Sequence, residues 1–130
     1  MRMAWSFSSD RPIYLQITEH LRIEIISGKY KRGERLPSVR ELAVIASVNP
    51  NTMQRALCEL EASGLVSSQR TTGRFVTEDS EIIEESKLSL AKELIGDFLK
   101  KTGGLGYSPQ EAAELVINQQ KGNDKNGHNT

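Results

Sequence analysis

The 130-residue chain contains a single cysteine, Cys58. One thiol cannot close an intrachain disulfide, and its isolation fits a reducing compartment. No window approaches the roughly twenty apolar residues that a membrane helix needs. The N-terminus also lacks the apolar core of a secretory signal. A soluble, cytoplasmic protein with no membrane partner is therefore expected. Catalytic groupings are missing too. There is no helpful Ser/His/Asp arrangement, no Cys/His cluster and no glycine-rich phosphate loop. The run Gly103-Gly104-Leu105-Gly106 follows a helical stretch rather than a strand. It lacks the Lys-Ser/Thr of a nucleotide loop and reads as a helix–helix connection. His20 lies across its helix from the apolar face without ligand-like company, and reads as a surface residue. The expectation is a non-enzyme with no cofactor and no metal site.

Net charge is also missing: 17 basic residues balance 17 acids. That balance alone would argue against nucleic acid, but it is unevenly distributed. Residues 1–77 hold eleven Lys and Arg against seven acids, and the remainder six Lys against ten acids. A basic N-terminal half joined to an acidic C-terminal half is the asymmetry expected when only one half meets phosphate.

The chain is organised around Glu34 to Gly64, ERLPSVRELAVIASVNPNTMQRALCELEASG. Ser38 is a favoured N-cap, and Val39, Leu42, Ala43 and Ala46 follow at helical spacing. A second helix opens at Asn49-Pro50, where Asn caps and proline suits the first helical position. Its apolar face is Met53, Ala56, Leu57 and Leu60, and Gly64 is the expected stop. Two short amphipathic helices joined by about three residues must cross steeply, as in a helix-turn-helix. The outward face of the second carries Asn51, Thr52, Gln54, Arg55 and Cys58. Any surface helix has a solvated polar face. This one, however, is nearly free of acid at its N-terminus, where the helix dipole favours acid. Asn, Gln and Arg can each pair two-pronged with base edges in a major groove.

Around this stretch the chain reads as mostly α with a small β-hairpin. Trp5 and Phe7 lie in a Ser-rich arm that is either packed on the domain or a partner, or a disordered leader. A first helix runs from Arg11-Pro12 to about Ser27. It carries Ile13, Ile17, Leu21 and Ile25 on one face, and Gly28 stops it. Lys29 to Arg35 is a basic loop, and Arg35-Leu36-Pro37 a short extended piece. Leu65 to Gln69 and Arg74 to Thr77 flank a Gly-containing turn and read as a hairpin with a basic tip at Arg70, a wing. Such a tip can reach phosphate or a narrow minor groove. Glu78 to about Lys101 is a long helix ended by Gly103-Gly104. Its wide apolar stripe includes Leu90, Leu94, Ile95 and Phe98. Ser108-Pro109-Gln110-Glu111 is a capping box opening a last short helix, with Ala112, Leu115 and Val116 inward. Two helices are too few to enclose their own core. The stripe is expected either to pack within the chain or, preferably, to meet a second copy in a two-fold dimer. The expected layout is a DNA-binding domain over residues 1–77, a helical dimerisation region over 78–120 and a disordered tail over 121–130.

Four segments, PIYLQITEHLRIEIISGKY, GERLPSVRELA, VNPNTMQRALCELEASGLV and TTGRFV, resemble in order and spacing the winged helix-turn-helix domain of GntR-type bacterial transcription regulators. The VNPNT turn and the short C-terminal part are most similar to the family's YtrA subfamily. The resemblance implies a sequence-specific, homodimeric DNA-binding regulator acting on a palindromic operator. It further implies repression, commonly of an operon for an ATP-binding-cassette transporter, with the two C-terminal helices used for dimerisation. Carried over by position, the P-S-x-R-E-L arginine is Arg40, and the turn and recognition helix supply Asn49, Asn51 and Thr52. The wing tip is Arg70 with Thr71, Thr72 and Gly73. Arg35, Ser38, Gln54 and Arg55 complete the expected DNA-binding set. Two positions depart from the family pattern: Gln54 stands where arginine is frequent, and Pro50 where a basic residue is frequent. Asn51, Gln54 and Arg55 should therefore read a different site. Two other readings compete: a winged helix serving as a protein-interaction module, and a sensor of a small-molecule effector with secondary DNA binding. The first would bury the recognition helix under the C-terminal helices. The second would line a cavity at the dimer interface with Tyr107, Phe98 and polar groups.

Overall fold

The computed structural model describes residues 5–70 and 72–127, with side chains as far as 122. The elements, in order, are α1 (Ile13–Ile26), α2 (Val39–Ala46), α3 (Pro50–Ala62), β1 (Val66–Gln69), β2 (Gly73–Val76), α4 (Ser80–Gly104) and α5 (Pro109–Gly127). They divide into two compact units, residues 1–87 and 88–130, with the division falling inside α4.

In the first unit, three helices bury one stripe each. Ile17, Leu21 and Ile25 of α1 meet Leu42, Ala43 and Ala46 of α2 and Met53, Ala56, Leu57 and Leu60 of α3, all buried. Ile13, expected on the same stripe, is instead 45% exposed, because it sits in the first turn beyond the core's edge. The turn between α2 and α3 closes through Ser47, whose left-handed φ of 58° lets Val48 N–H reach the Ala43 carbonyl at 3.0 Å. Gly28 and Gly64 stop α1 and α3 at φ 93° and 86°, conformations that a side chain resists. Strands β1 and β2 pair antiparallel from Val66↔Val76 to Gln69↔Gly73. The extended piece through Arg35 adds a third, one-residue rung by bridging Phe75. Ile82 and Ile83 at the start of α4 still pack on this core, which carries the first unit past Thr77.

From Trp5 onward, the N-terminal arm lies on its own domain. Trp5 stacks on His20 with ring centroids 3.6 Å apart, and Phe7 packs against the core. Gln16, a buried polar residue of α1, fastens the arm at three points. Its amide oxygen accepts from Ser8 N–H at 2.8 Å, and its amide nitrogen donates to the carbonyls of Ser8 and Arg11 at 2.9 Å each.

In the second unit, α4 ends at Gly104, as the sequence predicts. The two glycines are its last helical residues, and the chain then turns at Gly106, φ 104°. Glycine weakens a helix by about 1 kcal/mol, and the left-handed residue that follows completes the stop. The predicted Ser108–Glu111 capping box is present in both directions, at 2.8 and 3.1 Å. α5 continues past Lys121 to Gly127, where the sequence predicts a disordered tail. Nothing after Pro109 breaks the helix, and Gly122 alone is too weak a breaker. Residues 128–130 lie outside the described residues. Ala112 is fully buried, whereas Leu115 and Val116, expected inward, are 42% and 52% exposed.

Candidate nucleic-acid interface

α3 is built to present its first two turns. The Asn49 side-chain oxygen accepts from Asn51 N–H at 2.7 Å, Pro50 occupies the first helical position, and the first turn carries no acid. The dipole's positive end is therefore uncompensated by the protein itself. Met53, Ala56 and Leu57 anchor the inner face, leaving Asn51, Gln54, Arg55 and Cys58 exposed and Thr52 half-buried. Gln54 leans along the helix, its amide 3.9 Å from the Cys58 sulfur. α2 is fixed by a capping box that the sequence reading missed. Ser38 Oγ accepts from Glu41 N–H, and Glu41 Oε1 accepts from Ser38 N–H. The backbone hydrogen bond from Ser38, ahead of that from its hydroxyl, holds the Glu41 carboxyl below the ordinary carboxylate range. Ser38 thus has a structural duty as well as an exposed position. Arg40, two residues on, is exposed.

The expected contact residues fall into two grooves and several separate projections. Asn51, Thr52 and Arg55 line one groove with Ile13 and Tyr14 of α1. Arg35, Ser38 and Gly73 line another, with Leu36, Pro37, Val39 and Arg74. Arg40, Asn49, Gln54, Arg70 and Thr72 line neither; Thr71 lies outside the described residues. The second groove is held together by close approach. A Cβ on Gly73, at φ 107°, would stand 2.9 Å from Arg35 Nε, so both the left-handed backbone and the close guanidinium favour glycine at the tip end of the wing.

Two side chains absent from the sequence-level set prove important. Arg74 of β2 donates to Glu61 of α3 at 2.6 Å, both largely shielded from solvent, and so ties the wing to the recognition helix. Burial pushes the Glu61 carboxyl up, but hydrogen bonds from Arg74 and Ser68 and the Arg74 charge outweigh it, so its pKa lies below the ordinary value. Tyr14 is the other: the Arg55 guanidinium carbon lies 3.8 Å from its ring centroid. No sequence pattern links residues so far apart in the chain. Among the described residues, no group of His, Cys, Asp and Glu could hold a metal ion, and no helix is long and apolar enough to cross a membrane.

An exposed recognition helix, a basic stretch over residues 1–77 and a hairpin wing make a surface suited to a DNA major groove, and comparison with known proteins agrees. Residues 13–76 match the family model described as bacterial regulatory proteins, gntR family. The chain is 40% identical over 110 residues to the HTH-type transcriptional regulator YhcF of Bacillus subtilis strain 168, covering 85% of this chain and 91% of that protein. It is 40% identical over 109 residues to the HTH-type transcriptional repressor YtrA of the same strain, covering 83% and 84%. Among solved structures, a GntR family transcriptional regulator from Listeria monocytogenes superposes with TM-score 0.79 at 38% identity, covering 86% of this chain and 98% of that one. The chain belongs to the GntR family. It is a DNA-binding transcriptional regulator with a winged helix-turn-helix domain. A DNA-binding domain of the fold, AraR(DBD), has been solved in complex with its operator ORX1. It matches at TM-score 0.55 and 26% identity over 59% of this GntR chain and 99% of that one.

Asn51, Gln54 and Arg55 of the recognition helix are exposed. In the second unit, a groove at Phe98 is lined by Leu115, Val116, Gln119 and Gln120.

Proposed function

We propose that this GntR regulator is a homodimeric repressor. It binds a two-fold symmetric operator through two α3 helices placed in successive major grooves. Arg40 and Arg70 meet phosphates, while Asn51, Gln54 and Arg55 meet base edges, with Asn49, Thr52, Arg35, Ser38, Thr72 and Gly73 shaping the surface between. The observation that supports dimerisation most directly is the apolar face of the second unit. Leu94, Ile95 and Phe98 of α4 are 62%, 56% and 37% exposed, and Leu115 and Val116 of α5 are similarly open; Leu90 extends the same stripe. A patch of this kind marks an interaction site, and a second copy offers the same surface about a two-fold axis. Repression is supported by the name of the relative YtrA. The resemblance points to a transporter operon of the ATP-binding-cassette class.

Footprinting of genomic fragments with the purified protein tests the reading. Two protected half-sites in inverted repeat, about 34 Å or a multiple of it apart, are expected. Protection of single, unpaired half-sites at all concentrations would overturn the dimeric part. An absence of any discrete protection would overturn the sequence-specific part.

A further inference from the structure

The Tyr14–Arg55 contact is not explained by packing alone. Arg55 is exposed and makes no ion pair among the described residues, yet its guanidinium sits 3.8 Å from the centre of the Tyr14 ring. The ring itself is anchored, since Tyr14 packs against the core as a partly buried residue. One turn further along α1, Thr18 Oγ1 reaches both its own helix, at the Tyr14 carbonyl (2.9 Å), and α3, at the Ala56 carbonyl (3.1 Å). Ala56 is the neighbour of Arg55, so α1 and α3 are latched immediately beside the arginine. The ring is thus a fixed platform, and the groove it shares with Arg55 also holds Asn51 and Thr52. A cation–π contact uses the face of the ring and consumes none of the five guanidinium N–H donors. It restricts the long arginine side chain before DNA arrives, so less rotamer freedom is lost on binding.

We propose that Tyr14 is a positioning residue of the DNA interface: its ring holds the Arg55 guanidinium in the orientation in which it meets a DNA acceptor. The inference rests on the reading of Arg55 as a DNA contact. Its test separates the two. The probe is a duplex enriched from a randomised DNA pool by the full-length wild-type protein. Tyr14→Leu should weaken binding to it roughly 3- to 30-fold, the range that removal of a cation–π interaction supports. Tyr14→Phe, which keeps the ring, should bind like wild type. In an Arg55→Ala background, Tyr14→Leu should cause no further loss. Phenylalanines carrying increasing ring fluorine at position 14 keep the shape while draining the ring face of electron density. Affinity should fall stepwise along that series, with the thermal midpoint constant. A flat fluorine series, or an equal Tyr14→Leu loss with and without Arg55, would overturn the inference. So would a Tyr14→Phe variant as weak as Tyr14→Leu, which would assign the effect to the hydroxyl. If Arg55→Ala itself binds like wild type, the reading of Arg55 fails instead.

Discussion

Arg40 and Gln54 are both exposed polar side chains on the helix-turn-helix, but they are expected to act differently. Arg40 stands near the start of α2, beside the Ser38–Glu41 cap that fixes its backbone. A guanidinium held there serves phosphate regardless of sequence. Arg40→Ala should therefore weaken selected and random duplexes alike. It should also reduce the slope of log affinity against log salt by about 0.9 for each phosphate that is no longer neutralised. Titrations across a salt series would measure this, and an unaltered slope would remove Arg40 from the phosphate set. Gln54 projects from the second turn of α3 with only a distant sulfur partner. Its amide is the right shape for a two-pronged contact to adenine. Gln54→Ala should lose roughly 1–3 kcal/mol on the selected duplex and little on random DNA. Equal losses on both would confine Gln54 to the backbone.

The Arg74–Glu61 ion pair adds a clasp between the wing and the recognition helix, beside the burial of Val66 and Val76 in the shared core. Glu61 is held below its ordinary pKa of 4.5 in the folded protein. A group with a depressed folded pKa contributes stability that is complete above its unfolded value and lost as pH falls through the folded one. The clasp between β2 and α3 should accordingly hold at neutral pH and loosen below about 4.5. Amide shifts of Ser67, Ser68 and Arg74, followed by NMR from pH 7 downward, should move together in that acid range. Glu61→Gln should abolish the movement. It should also destabilise the domain by about 1–3 kcal/mol, because it leaves the largely shielded Arg74 without its anion. A wing that shifts identically in Glu61→Gln would locate the acid sensitivity elsewhere.

At the level of the whole molecule, the two units have separate dependencies. The first buries its own core from Ile17 to Val76. The second leaves Leu94, Ile95 and Phe98 facing solvent in a single chain. Phe98→Asp should place an unpaired charge in the proposed seam between copies, which is unfavourable. Sedimentation should show a monomer, while the circular dichroism of the winged helix remains that of a folded domain. Binding to a duplex with two inverted half-sites should fall far more than binding to a single half-site. A dimeric Phe98→Asp protein with normal operator affinity would move dimerisation to another surface.

Much of this architecture is local and is therefore legible in the sequence. Ser38, Asn49-Pro50 and Ser108-Pro109-Gln110-Glu111 announce helix starts because capping involves neighbours within one turn. The buried faces of α2 and α3 follow from a 3.6-residue period, and the hairpin from β-branched and aromatic runs around Gly73. The outward set Asn51, Gln54 and Arg55 needs only that period to be found. What tertiary structure alone decided involves partners distant in the chain or competition between weak local signals. Gln16 is one more polar residue on α1 until the arm folds back onto it, and Tyr14 one more aromatic until Arg55 meets its ring. Arg74 and Glu61 are drawn together only once the wing closes on α3. Gly103 and Gly104 read as a stop because glycine is a poor helix former, and α4 does end there. The reach of α5 past Lys121 to Gly127, by contrast, is decided by weak local signals in competition. Helical period and capping are properties of adjacent residues, whereas platforms, clasps and latches are properties of surfaces that meet only in the folded chain.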